Sequence, residues 1–152
     1  MTVRCFVDTN VLIHLHDRSE AQKRALTKHS LRSIRRNGEL VVSPQVVSEF
    51  YALAAERFPY TPRETVRDFL RDLLPACRSE GMGELLATAW RLEDRYRLSP
   101  WDCLMAAAAV CADCRLLVTE ALPDGSEVDR TRVVNPFLTD IETVFTVLKE
   151  RG

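Results

Sequence analysis

Apolar positions along this chain follow two rhythms. Short apolar runs at Val3-Arg4-Cys5-Phe6-Val7, broken only by Arg4, and at Leu40-Val41-Val42, Leu116-Leu117-Val118 and Val133-Val134 predict buried strands. Between them, apolar residues recur every three or four positions and predict helices. The first helix is short, from Val11 to His16, with Thr9 or Asn10 as its cap. The second runs from Ser19 to Asn37 with Ala21, Ala25, Leu26, Leu31 and Ile34 toward the core, and Gly38 ends it as a C-cap glycine would. Ser43-Pro44 places a cap and a first-turn proline before a helix that carries Val46, Val47, Phe50 and Leu53 to about Phe58. Thr61-Pro62-Arg63-Glu64 opens another, continued by Val66, Phe69, Leu70, Leu73 and Leu74. Later helices are predicted from Glu84 to Tyr96, from Ser99-Pro100-Trp101-Asp102 through Cys103 to Cys111, and from Phe137 to Glu150. Pro75 to Gly83 has no clear apolar run and leaves room for a short third strand at most.

Strands that alternate with helices imply a parallel sheet, because parallel neighbours need a crossover between them. The expected fold is therefore α/β, a three-layer α/β/α sandwich with a central parallel sheet, and residues 1–152 fit one domain. In such sheets ligands sit beyond the carboxyl ends of the strands. Asp8 follows the first strand directly, and the helix that carries Glu49 starts just after the second.

Composition narrows the field only a little. With 46% hydrophobic residues and a net charge of -1, the chain is neither disordered in character nor a generally basic nucleic-acid coat. No apolar run approaches the length of a signal peptide or a membrane span, so a cytoplasmic location is expected. Five cysteines lie mostly within apolar patterns and read as small core residues. Cys111-Ala-Asp-Cys114 has redox or zinc spacing, but no second pair completes four ligands and it closes an Ala-rich helix. A glycine-rich dinucleotide turn and a P-loop are both absent from the sequence.

Three acids stand out by their joint placement. Each has a structural explanation of its own: Asp8 as a turn residue, Glu49 as a solvated helix position, and Asp102 as the third helical residue after the Ser99 cap, where an acid opposes the dipole. Together they fall near strand ends or the helix starts that follow them. Carboxylates gathered at one rim repel unless a cation neutralises them, and oxygen-only ligands select hard ions such as Mg2+ or Mn2+. An ion of that kind activates water and stabilises a pentavalent phosphate. His14 and His16 lack zinc spacing and fall on different faces of a short helix.

Phe6-Val7-Asp8-Thr9-Asn10, Glu49 after Val41-Val42-Ser43-Pro44, Leu98-Ser99-Pro100-Trp101-Asp102 with the Cys103 to Ala108 run, Leu116-Leu117-Val118-Thr119-Glu120, and Val133-Val134-Asn135-Pro136-Phe137 resemble the PIN-domain family, and within it the VapC-type toxins. The resemblance covers nearly the whole chain in order. It implies a parallel sheet between helices, an acidic pocket for Mg2+ or Mn2+, single-strand-specific RNA hydrolysis, an antitoxin partner and a homodimer. Asp8, Glu49 and Asp102 match the family's first three acids, and Asn10 and Thr119 match polar positions that line its pocket. The fourth acid, an Asp two residues after this Thr, falls on Ala121. Glu120 beside it and Asp124 in the next loop are the available substitutes. With either or neither, the chain holds one ion, gains a second with substrate, or is an impaired relative that only binds RNA or protein.

RNA needs positive charge near such a pocket. Arg24, Lys28, Arg32 and Arg35 recur at helical spacing on the second helix, and Arg57, Arg63, Arg67 and Arg71 form a weaker cluster; either is also what a solvated helix face looks like.

Overall fold

A computed structural model describes residues 2–152 and builds one five-stranded sheet in the order β2-β1-β3-β5-β4. The strands are β1 Val3–Val7, β2 Gly38–Val41, β3 Leu116–Val118, β4 Glu127–Val128 and β5 Thr131–Val134. β2, β1, β3 and β5 are mutually parallel, and β4 pairs antiparallel on the edge. Helices flank the sheet: α1 Thr9–Leu12, α2 Ala21–Asn37, α3 Pro44–Arg57, α4 Arg63–Leu73, α5 Met82–Tyr96, α6 Pro100–Cys111 and α7 Ile141–Arg151. The α/β sandwich predicted from the apolar rhythm is the fold observed. Its core centres on Phe6, Leu116, Leu117, Val133 and Phe50, each at most 1% exposed.

The chain leaves β1 for β2 on one side, then returns for β3 on the other. The carboxyl ends of β1 and β3 therefore flank a topological switch point, where helix connections diverge and a crevice opens. Register makes the crevice specific. Val7 pairs with Val118, so Asp8 and Thr119 leave the sheet side by side, and the Asp8 N–H donates to the Val118 carbonyl at 3.0 Å.

Several boundaries differ from expectation for local reasons. Asp8 itself, rather than Thr9 or Asn10, caps α1, and the helix tightens to a 3-10 turn through His16. α2 starts at Ala21 because Ser19 is held by Asp17, its N–H 3.0 Å from the carboxylate. Gly38 is extended at φ -155°, not left-handed, and already belongs to β2. Gly38 does cap α2, its N–H on the Ile34 carbonyl, but a Cβ there would stand 2.3 Å from the Val3 carbonyl, so the glycine is needed for close approach of backbones rather than for a left-handed turn. The 75–83 segment contributes a single bridge, Val42 to Cys77, while Arg78 pairs with Glu39 at 2.6 Å. The last helix begins at Ile141, capped by Asp140, and not at Phe137. β4 went unpredicted because its hairpin turns on Asp129-Arg130 instead of a glycine pair. Asp129 holds φ 54° with support from Tyr96 and Arg91.

Candidate functional site

At the switch point lies a cavity of about 460 Å3, and Asp8, Glu49, Asp102 and Glu120 are all in its wall. Four different stretches deliver them: the end of β1, the second turn of α3, the first turn of α6 and the end of β3. Asn10, Gln45, Arg57, Trp101 and Ala121 line the same space.

Asp8 is held on both oxygens. One accepts from the Thr9 N–H at 2.7 Å and the other from the Thr119 hydroxyl at 2.9 Å. Thr119 is wholly buried, and its oxygen in turn accepts from the Asn10 amide at 3.3 Å and from the Ala121 N–H at 3.0 Å. The Asn10 oxygen faces the Glu120 N–H at 3.4 Å. Asn10 and Thr119 thus fix the turn after β3 and aim Asp8, which makes them positioning residues.

Glu49 is half-buried rather than solvated. Its two oxygens accept from the Thr9 hydroxyl at 3.0 Å and from the Gln45 amide at 2.8 Å. Asp102 differs. Ser99 caps α6 by accepting from the Asp102 N–H at 3.2 Å, but among the described residues the Asp102 carboxylate takes no hydrogen bond and returns none to the cap. The Ser99 cap engages its backbone, and its charge opposes the helix dipole from the first turn of α6 while the carboxylate stays open to the cavity.

Burial is the main cause that raises the Asp8 pKa above the ordinary aspartate value, opposed by the Thr119 and Thr9 hydrogen bonds and reinforced by the charges of Glu49 and Asp102. The three carboxylates therefore feel one another across the cavity. Among the described residues, no three His, Cys, Asp or Glu side chains stand close enough to hold an ion as they are. The donor set nevertheless suits one: all oxygen, mutually repelling, and with Asp102 unbonded.

The substitutes for the fourth acid are otherwise engaged. Glu120 meets Lys23 at 3.0 Å and His14 at 3.6 Å. Asp124 lies outside the cavity wall, where it accepts from the Asn135 N–H at 2.8 Å and the Thr139 hydroxyl at 2.5 Å. It ties the loop after β3 to the end of β5. His14 and His16 point apart, His14 edge-on to Phe137 and His16 between Phe50 and Phe69.

The basic residues also separate. Lys28, Arg32 and Arg35 border a second cleft of about 250 Å3 between α2 and α4, away from the acids. In the other cluster Arg67 and Arg71 pair with Glu64 and Asp68, Arg63 lies over the Tyr51 ring, and Arg57 alone reaches the cavity wall. Of the C-x-x-C pair, Cys114 is buried, which pushes its pKa up to about 12, and all five cysteines are free. Thr9 and Gln45, which aim Glu49, were not singled out from the sequence. The i,i+4 spacing of Gln45 and Glu49 was the available signal for one of them.

A mostly parallel sheet with carboxylates crowded at its switch point defines the class, an α/β domain with an acidic crevice. Residues 5–120 match the PIN domain family, and the chain belongs to it. PIN domains are typically nucleases and generally metal-dependent. Three solved structures share the fold. A toxin–antitoxin complex from Klebsiella pneumoniae superposes with TM-score 0.61 at 19% identity, over 87% of this chain and 97% of that one. VapBC2 from Rickettsia felis, bound to a DNA fragment from its promoter, gives 0.60 at 15% identity over 88% and 98%. Mycobacterium tuberculosis VapC20, a toxin that cleaves the sarcin-ricin loop, gives 0.54 at 18% over 74% and 86%. A comparison with curated proteins returns no match. No helix among the described residues is long and apolar enough to cross a membrane.

Proposed function

We propose that this chain is a metal-dependent endoribonuclease and the toxin member of a toxin–antitoxin pair. The observation that carries the reading is that Asp8, Glu49 and Asp102 come from three separate elements to one cavity. These three residues would hold Mg2+, or Mn2+ in its place. A divalent ion there supplies neutralisation of the phosphate charge and activation of the attacking water. Thr119 and the Thr9 N–H keep Asp8 pointed into the cavity, while Gln45 and the Thr9 hydroxyl do so for Glu49. Asp102, without such restraint, is free to turn toward positive charge. In-line attack by water leaves a 5'-phosphate and a 3'-hydroxyl.

Neighbours that are toxin–antitoxin complexes support an antitoxin partner for this chain, and a homodimer is proposed on the same likeness. The test is cleavage of single-stranded RNA with Mg2+ or Mn2+, with and without EDTA, by wild type and Asp8→Asn. Equal cleavage by the variant defeats the assignment. In a bacterial host, expression of wild type is expected to arrest growth and Asp8→Asn to permit it.

A second reading is a catalytically impaired PIN domain that binds RNA or protein. Ala121 at the fourth-acid position favours it, as do the pairing of Glu120 with Lys23 and the contacts that hold Asp124 outside the cavity wall. It requires that wild type bind without turnover and that Ala121→Asp gain activity.

A further inference from the structure

Seven large apolar side chains are exposed among the described residues, and Trp101 is the one of them in the wall of the acid-lined cavity. It is 69% exposed at the second position of α6, beside Asp102, so an open aromatic face and a carboxylate share one helix start. Among the described residues neither a ring nor a cation stacks on it.

In the same wall Arg57 is the single Lys or Arg among four acids, and it makes no salt bridge with any described residue. It stands eight residues beyond Glu49 on α3, roughly 12 Å by the helix rise, so it enters the cavity wall from farther along the helix than the acid does.

We infer that the cavity mouth is a subsite for single-stranded RNA, in which an unpaired nucleobase stacks on Trp101 and a phosphate neighbouring the scissile one meets Arg57. The inference rests on the ribonuclease reading and adds how the strand is held. Acidic walls repel a polyanion everywhere except at a cation, so Arg57 decides where the backbone enters. Every base has a π-face, so an open indole accepts any unpaired base, whereas a base within a duplex is already stacked. The subsite therefore selects unpaired strands without reading sequence.

The experiment follows indole fluorescence in the Trp90→Phe chain, where Trp101 is the remaining tryptophan. The probe is a short mixed-sequence oligoribonucleotide, single-stranded or annealed to its complement, in EDTA so that no strand is cut. The single strand should quench Trp101 and the duplex should not. Trp101→Ala should weaken binding about tenfold, with Trp101→Phe restoring most of it. Arg57→Gln should reduce the slope of log affinity against log salt by about 0.7. An unperturbed indole at saturation, an unchanged affinity in Trp101→Ala, or no binding at all overturns the inference. Quenching without cleavage in Mg2+ upholds the subsite and fails the nuclease reading; cleavage with an unperturbed indole does the reverse.

Discussion

The carboxylates at the carboxyl edge of the sheet divide into two groups that differ in how their charge is met. Asp8, Glu49 and Asp102 receive at most neutral donors, from threonine, glutamine and backbone N–H groups, and Asp102 receives none among the described residues. Glu120 and Asp124 are only a few residues away in the fold, yet one is matched by Lys23 and His14 and the other knits two chain segments together. Neutral donors orient a carboxylate without cancelling its charge; Glu120 alone of the five is matched by a cation, and Asp124, which also has only neutral donors, is set apart by lying outside the cavity wall, where its hydrogen bonds join two loops. Proximity to a pocket is thus a poor guide to function. An acid in the cavity wall with no cationic partner is the better one, because such acids gather at binding sites more often than elsewhere.

The largest expected effect separates the groups directly. Asp8→Asn, Glu49→Gln and Asp102→Asn should each lower Mg2+-dependent cleavage by about a thousandfold, several kcal/mol of charge stabilisation. Glu120→Gln should stay within about tenfold, and a loss equal to that of Asp8→Asn would erase the distinction. Thermal unfolding supplies a second measure. Mg2+ at a hundredfold excess over its dissociation constant should stabilise wild type by about 2.7 kcal/mol, leave Asp8→Asn unmoved, and still stabilise Glu120→Gln.

Asp124→Ala should instead cost about 1 kcal/mol of stability with cleavage retained, since its two hydrogen bonds hold a loop. Lys23→Met should cost less, under about 1 kcal/mol, because the Lys23–Glu120 pair is partly exposed. If denaturant titration finds Lys23→Met more damaging than Asp124→Ala, the Lys23–Glu120 pair holds more of the fold than its exposure implies.

The pH dependence sharpens the same contrast. Folded Asp8 binds its proton more tightly than unfolded Asp8, mainly through burial and then through repulsion from Glu49 and Asp102. Its contribution to stability in EDTA is full below the ordinary aspartate pKa and is lost as pH rises through the raised value. Unfolding curves for wild type and Asp8→Asn, compared from about pH 3 to 7, should diverge over that window. Parallel curves would mean that the cavity exerts no such strain.

Much of this was legible in the sequence because it depends on neighbours along the chain. Short apolar runs marked four strands, Ser-Pro pairs marked two helix starts, and a strand ending in Asp marked the rim. Motif resemblance then singled out Asp8, Glu49 and Asp102 together. Other features were not legible, since they need partners distant in sequence. Gly38 caps its helix as expected, but the need for a glycine there shows only when Val3 is laid against it, and Glu120 looks like a spare acid until Lys23 reaches it from 97 residues away. Glu49 looks solvated until Thr9 bonds it across 40 residues.

The sequence alone determined the alternation of strand and helix and therefore a parallel sheet with acids at its carboxyl edge, because periodicity and capping are local properties. Tertiary structure decided which acids have a cationic partner and which have only neutral ones. The β1–β3 register sets Asp8 against Thr119, and the packing of α2 brings Lys23 to Glu120. Electrostatic compensation acts through space, so only the folded chain could distinguish a carboxylate with neutral partners from one paired with a cation.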